Sequence, residues 1–163
     1  MAAGFFDLGK IGNGRLLIGP RPQATELHDW SARASGLGVN HVVSLIEKSE
    51  VKQYHLKDEG PTLAAVGISF QHFPVDDFDV PDEGAFATLI AGLAMRLQEG
   101  ETLFLHCAGG VGRAGTTASC IMVDHGWTAD DAMRHVSDRR GVPSPETAAQ
   151  AEFVGRRARR ELT

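Results

Sequence analysis

The residues with the clearest capacity for chemistry lie together in His106-Cys107-Ala108-Gly109-Gly110-Val111-Gly112-Arg113-Ala114-Gly115-Thr116. The apolar run Leu103-Phe104-Leu105 ahead of them predicts a buried strand, and a helix pattern begins at Arg113. A glycine loop between a strand and a helix turns successive backbone N–H groups toward one point. The helix N-terminus adds partial positive charge there, so the point suits an oxyanion. Glycine lets the backbone curl without side chains filling the cup. A cation at a helix N-terminus is unfavourable by itself. Arg113 makes sense there if an anion sits between the two, gripped by a bidentate guanidinium fork. Cys107 opens into the same positive cup, an environment that favours the thiolate and makes it a nucleophile. The predicted anion seat is therefore Ala108, Gly109, Gly110, Val111, Gly112 and Arg113, with His106 hydrogen-bonding backbone to shape the loop. Seen singly, a cysteine is most often a small core residue, and Cys120, seven residues past Arg113 on the same helix, is read as that.

The rest of the chain must hold this loop. Its 163 residues suffice for one domain over 1–163 with a continuous core. Hydrophobic residues make up 42% and charged residues 23%, the balance of a globular protein and not of a disordered one. The 19 glycines exceed the usual share of about 7%, and four of them fall between 109 and 115. Strands are predicted over 15–18, 41–46, 68–73 and 102–106. Helices are predicted over 25–37, 50–56, 62–66, 82–98, 113–125 and from Thr128 to about 139. A last helix is predicted to open at Ser144-Pro145, with Pro145 in its first position. Strands alternating with helices predict an α/β fold with a central, largely parallel sheet flanked by helices. Glu47 and Glu50 follow the strand at 41–46. Either could brace Arg113, although a solvated turn is the simpler expectation. The arginines at 156, 157, 159 and 160 read as a solvated helix end.

His106 to Arg113 resembles the signature loop of the cysteine-dependent protein phosphatases: His-Cys, five residues, then Arg. HCAGGVGRAGT is similar to the dual-specificity branch, the cyclin-dependent-kinase-associated type in particular. His72-Phe73-Pro74-Val75-Asp76-Asp77, with Pro81 beyond, resembles that family's general-acid loop. The segment from Pro143 to Phe153 resembles its water-positioning glutamine segment. The resemblance implies the protein tyrosine/dual-specificity phosphatase fold and a phosphocysteine intermediate on Cys107. It implies Asp77 as general acid, with Asp76 and Asp79 as competitors, and Gln150 as the residue that orients water. No cofactor and no metal are expected, because thiolate chemistry needs neither. The implied substrates are phosphorylated proteins or peptides, with phosphate, vanadate or sulfate also fitting the loop.

The pattern is broken at Ala114, where the family usually carries a hydroxyl that stabilises the departing sulfur. A slower breakdown of the phosphoenzyme is the expected result, with Thr116 or Thr117 as conceivable substitutes. The departure also feeds a rival reading, a phosphate-binding pseudophosphatase with little turnover. A phosphatase of a small non-protein phosphoester is a further alternative. The uncharged residues within the loop offer none of the extra cations that a polyphosphorylated ring would require. A net charge of -5 speaks against general nucleic-acid binding. No apolar run reaches the roughly 18 residues of a membrane span, and with no signal peptide apparent a cytoplasmic location is expected.

Overall fold

A computed structural model describes residues 3–162. Along the chain run β1 (Phe6–Ile11), β2 (Gly14–Pro20), a 3-10 turn (Ala24–Glu26), α1 (Leu27–Gly36), β3 (His41–Ser44), α2 (Lys48–Gln53), α3 (Glu59–Ala64) and β4 (Ser69–His72). There follow α4 (Glu83–Gln98), β5 (Thr102–Cys107), α5 (Arg113–Asp124), α6 (Ala129–Arg140) and α7 (Ala148–Ala158). The strands form one sheet in the order β1-β2-β5-β3-β4. All neighbours are parallel except β1 and β2. The expected largely parallel α/β architecture is thus present, with an added antiparallel edge. β1 was not foreseen. Its Asp7/Gly9 bulge breaks the alternation from which a strand is read.

β5 is the centre of the molecule, and its burial follows from side-chain alternation. Leu103, Leu105 and Cys107 enter the core beneath α4 to α7. Phe104 enters the opposite core, with Phe5, Trp30 and Leu63. Phe104 is wholly buried, with its ring 4.8 Å from Phe5 and 5.9 Å from Trp30. Truncating such a residue costs about 3–5 kcal/mol, so the loop that follows β5 grows from a stiff base. Pro20 lies level with Cys107, and Ser44 with His106. β5 therefore ends between strands reached by connections that run in opposite senses, the position where ligands collect in open α/β sheets.

Helix starts obey their capping residues. Asp82 accepts from Ala85 N at 3.0 Å, and Thr128 from Asp131 N at 3.1 Å. The last helix does not start at Pro145. It begins at Ala148 behind Thr147, whose hydroxyl accepts from Gln150 N while Gln150 Oε1 accepts from Thr147 N. This reciprocal cap outweighs the preference of proline for a first turn. The C-terminal arginines are not merely solvated: Arg156 pairs with Glu83, Arg157 with Asp124, and Arg159 with Glu152 and Glu161. No helix among the described residues is long and apolar enough to cross a membrane.

Candidate active site

The glycine loop is tied down from outside, carbonyl by carbonyl. Arg21 N donates to Ala108 O at 3.2 Å. Arg140 donates to Gly109 O through NH2 at 2.9 Å and to Gly110 O through Nε at 3.1 Å. Ser144 Oγ donates to Val111 O at 2.7 Å. In a trans peptide the N–H points opposite the C=O, so these ties turn the N–H groups of Gly109, Gly110, Val111 and Gly112 away from the scaffold. One of them is seen at work: Gly110 N donates to Cys107 Sγ at 3.2 Å. Gly110 holds φ +72, and a Cβ there would run into the backbone of Gly19 and Pro20. A Cβ on Gly112 would press on the Glu146 carboxylate and the Gln150 amide.

Arg113 is 2% exposed and is gripped by Glu50. NH1 donates to Glu50 Oε2 at 2.6 Å and to Val75 O at 2.9 Å, and NH2 donates to Glu50 Oε1 at 3.0 Å. The expectation of a solvated turn at Glu50 is therefore corrected. α2 carries its carboxylate inward, where a buried guanidinium needs a planar partner. Burial works against charge on both groups, but their mutual hydrogen bonds prevail. Arg113 is raised, helped by the nearby Cys107 and Asp77, and Glu50 is held below the usual carboxylate range, helped by Glu47 N. Arg113 Nε is buried with no hydrogen-bond partner among the described residues. A tetrahedral oxyanion in the loop would supply its acceptor.

The acid loop meets the same guanidinium. Asp77 Oδ1 lies 3.1 Å from Arg113 NH2, and its side chain is 40% exposed. Asp77 N donates to Glu47 Oε2 at 3.2 Å. Of the competing acids, Asp79 uses its carboxylate locally, Oδ1 accepting from Val80 N, while Asp76 accepts from Asp79 N through its backbone carbonyl. Next to Asp77, Phe78 holds φ +61 while 59% exposed.

His106 is wholly buried, with Nδ1 3.2 Å from Cys107 O and Nε2 2.6 Å from Glu59 Oε2. It contacts backbone as expected, but the buried Glu59 behind it was unforeseen. Gln150 is also wholly buried against the loop edge, with its amide engaged. Oε1 accepts from Glu146 N and Thr147 N, and Nε2 donates to Asp79 O at 3.3 Å. Ala114 is buried, and neither nearby hydroxyl replaces the missing one. Thr116 Oγ1 donates to Gly112 O and Thr117 Oγ1 to Arg113 O. Cys120 is a core residue, and burial drives its thiol far above the usual range. Among the described residues no group of three or more His, Cys, Asp or Glu is placed to hold a metal ion. Arg21, Arg140, Ser144 and Glu59 escaped the sequence reading because each acts from outside the motif. In sequence Arg140 looks like its neighbour Arg139, which instead donates to Asp7 O.

Residues 8–162 match the family model described as Swiss Army Knife protein, DSP-PTPase phosphatase domain. The chain belongs to this family of dual-specificity-phosphatase-like domains. Cyclin-dependent kinase inhibitor 3 of Rattus norvegicus is 24% identical over 119 residues, which cover 72% of this chain and 56% of that protein. The Homo sapiens protein of the same name is 23% identical over an equal length. The chain thus spans a little over half the length of these relatives. Among solved structures, Tk-PTP in its active form superimposes with a TM-score of 0.80 at 24% identity, covering 98% of this chain and 99% of that one. Kinase associated phosphatase with its catalytic-site cysteine replaced by serine gives 0.83 at 17% identity, covering 94% and 91%. PTPMT1 in complex with PI(5)P gives 0.74 at 16% identity, covering 93% and 94%. These likenesses establish the fold.

Proposed function

We propose that the chain hydrolyses phosphomonoesters on proteins, phosphotyrosine foremost and phosphoserine or phosphothreonine with it, through a phosphocysteine. Cys107 Sγ attacks phosphorus in line, forming the S–P bond as the ester P–O bond breaks. The inward amides and Arg113 hold the equatorial oxygens, where transition-state charge must be stabilised. Asp77 gives its proton to the leaving oxygen, then takes one from the water that attacks phosphorus and releases Cys107 as thiolate. For this Asp77 must first leave Arg113, whose NH2 then offers the freed N–H, beside Nε, to the phosphate while Glu50 keeps its hold. Gln150 reaches water only by releasing Asp79 O, so its first role is to tie α7 to the acid loop. With no hydroxyl at position 114, the second step is the slower one.

The observation that carries this reading is a sulfur, Cys107 Sγ, already accepting an N–H from a loop whose four carbonyls all face outward. The test is release of p-nitrophenol from p-nitrophenyl phosphate. We expect turnover that vanadate inhibits and that Cys107→Ser lowers by roughly 10^4-fold or more. Phosphate binding without any release would instead favour the pseudophosphatase. A non-protein phosphoester is the second reading, favoured by the PTPMT1 likeness. A panel of phosphopeptides against small phosphoesters separates it from the first.

A further inference from the structure

The uncharged loop residues predict a mouth with no cation besides Arg113, yet folding places another at its rim. Arg21 follows β2 directly, and its N–H holds Ala108 O, the first carbonyl of the loop. Its guanidinium reaches the ring of Tyr54, 3.6 Å from the centroid. Tyr54 caps the C-terminus of α2, the helix that supplies Glu50. β2 and β3 flank β5 in the sheet, and α2 follows β3. The Arg21 side chain thus passes from one side of β5 to the other, across the edge where the loop opens.

This cation makes no salt bridge among the described residues; the nearest influence is on Glu50, whose carboxylate it helps to keep charged while Arg113 holds that carboxylate's oxygens. One nitrogen, NH1, donates to the neighbouring Pro22 O, and the stacking contact fixes the plane. Stacking leaves the edge of a guanidinium, where its N–H donors lie, free for an anion. The opposite rim has the other sign: Asp76, Asp77 and Asp79 are all exposed on the acid loop. A substrate with a second negative group would be repelled there and drawn toward Arg21. We propose that Arg21, held on Tyr54, recognises a second anionic group close to the scissile phosphate, so that the preferred phosphopeptides carry a carboxylate or another phosphate beside the target residue. The inference rests on the phosphatase reading for turnover, but not for binding.

Three phosphotyrosine peptides that differ only at the adjacent residue (glutamine, glutamate or phosphoserine) provide the test. Two readouts are taken at low salt: kcat/KM, and peptide affinity for a Cys107→Ser protein that cannot turn over. We expect the anionic neighbours to gain about five- to tenfold in both readouts, with phosphoserine ahead of glutamate. Arg21→Gln should bring the ratio near one, Arg21→Lys should keep part of it, and Tyr54→Phe should keep most of it. No preference in the wild type, or a preference that survives Arg21→Gln, overturns the inference. Turnover without discrimination leaves the phosphatase reading standing and removes this one. Discrimination in binding without turnover does the reverse. Absence of both turnover and binding removes both.

Discussion

The loop from Cys107 to Arg113 and the loop from Pro74 to Pro81 meet at one guanidinium, and they are built on opposite plans. The first has its carbonyls held by Arg21, Arg140 and Ser144, its cation clamped by Glu50, and its ends fixed in β5 and α5. The second is exposed from Asp76 to Asp79, and two of its hydrogen bonds run to its own carboxylates. Its ties to the body include Val75 N to Leu45 O, Asp77 to Arg113, Asp77 N to Glu47, and Gln150 to Asp79 O. A group that stabilises charge gains from being fixed before substrate arrives. A group that carries a proton to the leaving oxygen and then back from water gains from being free to shift. In the mechanism we propose, the two loops divide these tasks.

Substitutions at matched positions should separate the loops. Gly110 and Phe78 both hold positive φ, one in each loop. Gly110→Ala forces a methyl into the backbone of Gly19 and Pro20. We expect it to cost more than about 2 kcal/mol in denaturant unfolding and to abolish vanadate binding. If vanadate still binds normally, the loop is less fixed than described. In the acid loop, Asp77→Asn should lower kcat by about 10^2- to 10^3-fold for an alkyl phosphate. The drop should be much smaller for p-nitrophenyl phosphate, whose leaving group needs little protonation. Asp76→Asn and Asp79→Asn should each change either rate less than threefold. An equal drop for both leaving groups would place Asp77 in binding instead of proton transfer.

Glu50→Gln tests the clamp, and we expect it to lose about 3 kcal/mol of stability at neutral pH. Because folding lowers the Glu50 pKa from 4.5, its contribution is full above that value and fades as pH falls below it. The gap between wild type and variant in urea melts should therefore narrow in acid. A gap that is constant with pH would mean the charge is not what matters. Ala114→Ser should raise steady-state turnover a few-fold and shrink any burst, since it restores a hydroxyl near the departing sulfur. Phe78→Gly should be the smallest change, within about 1 kcal/mol of wild type and on the stabilising side, because strain is relieved in a loop with little to lose.

What the sequence revealed follows the same division. The signature loop was legible because its chemistry is compressed into eight contiguous residues flanked by a strand and a helix. Asp77 could be named as a candidate only through resemblance, because several acids stand nearby and nothing local distinguishes them. The structure adds that its carboxylate lies against Arg113. Most helices and the four parallel strands could be read from periodicity and caps. β1 was hidden by its bulge and the start of α7 by a reciprocal cap. Glu50 could be offered only as an alternative to a solvated turn, and Arg140 and Glu59 could not be read, since their partners lie 63, 30 or 31, and 47 residues away along the chain. A charged residue bound for the interior carries no local mark that distinguishes it from one bound for solvent.

Nε of Arg113, buried with no partner among the described residues, gives oxyanion binding a thermodynamic signature. A donor buried without an acceptor costs about 1–3 kcal/mol. An oxyanion that accepts from Nε binds the folded state alone, so binding and folding become linked quantities. Tungstate or vanadate, which need not react further, should raise the melting temperature by about 2–4 °C for each kcal/mol regained in a chain of this size. A thermal melt then reports how full the site is, even for a substrate the protein never turns over.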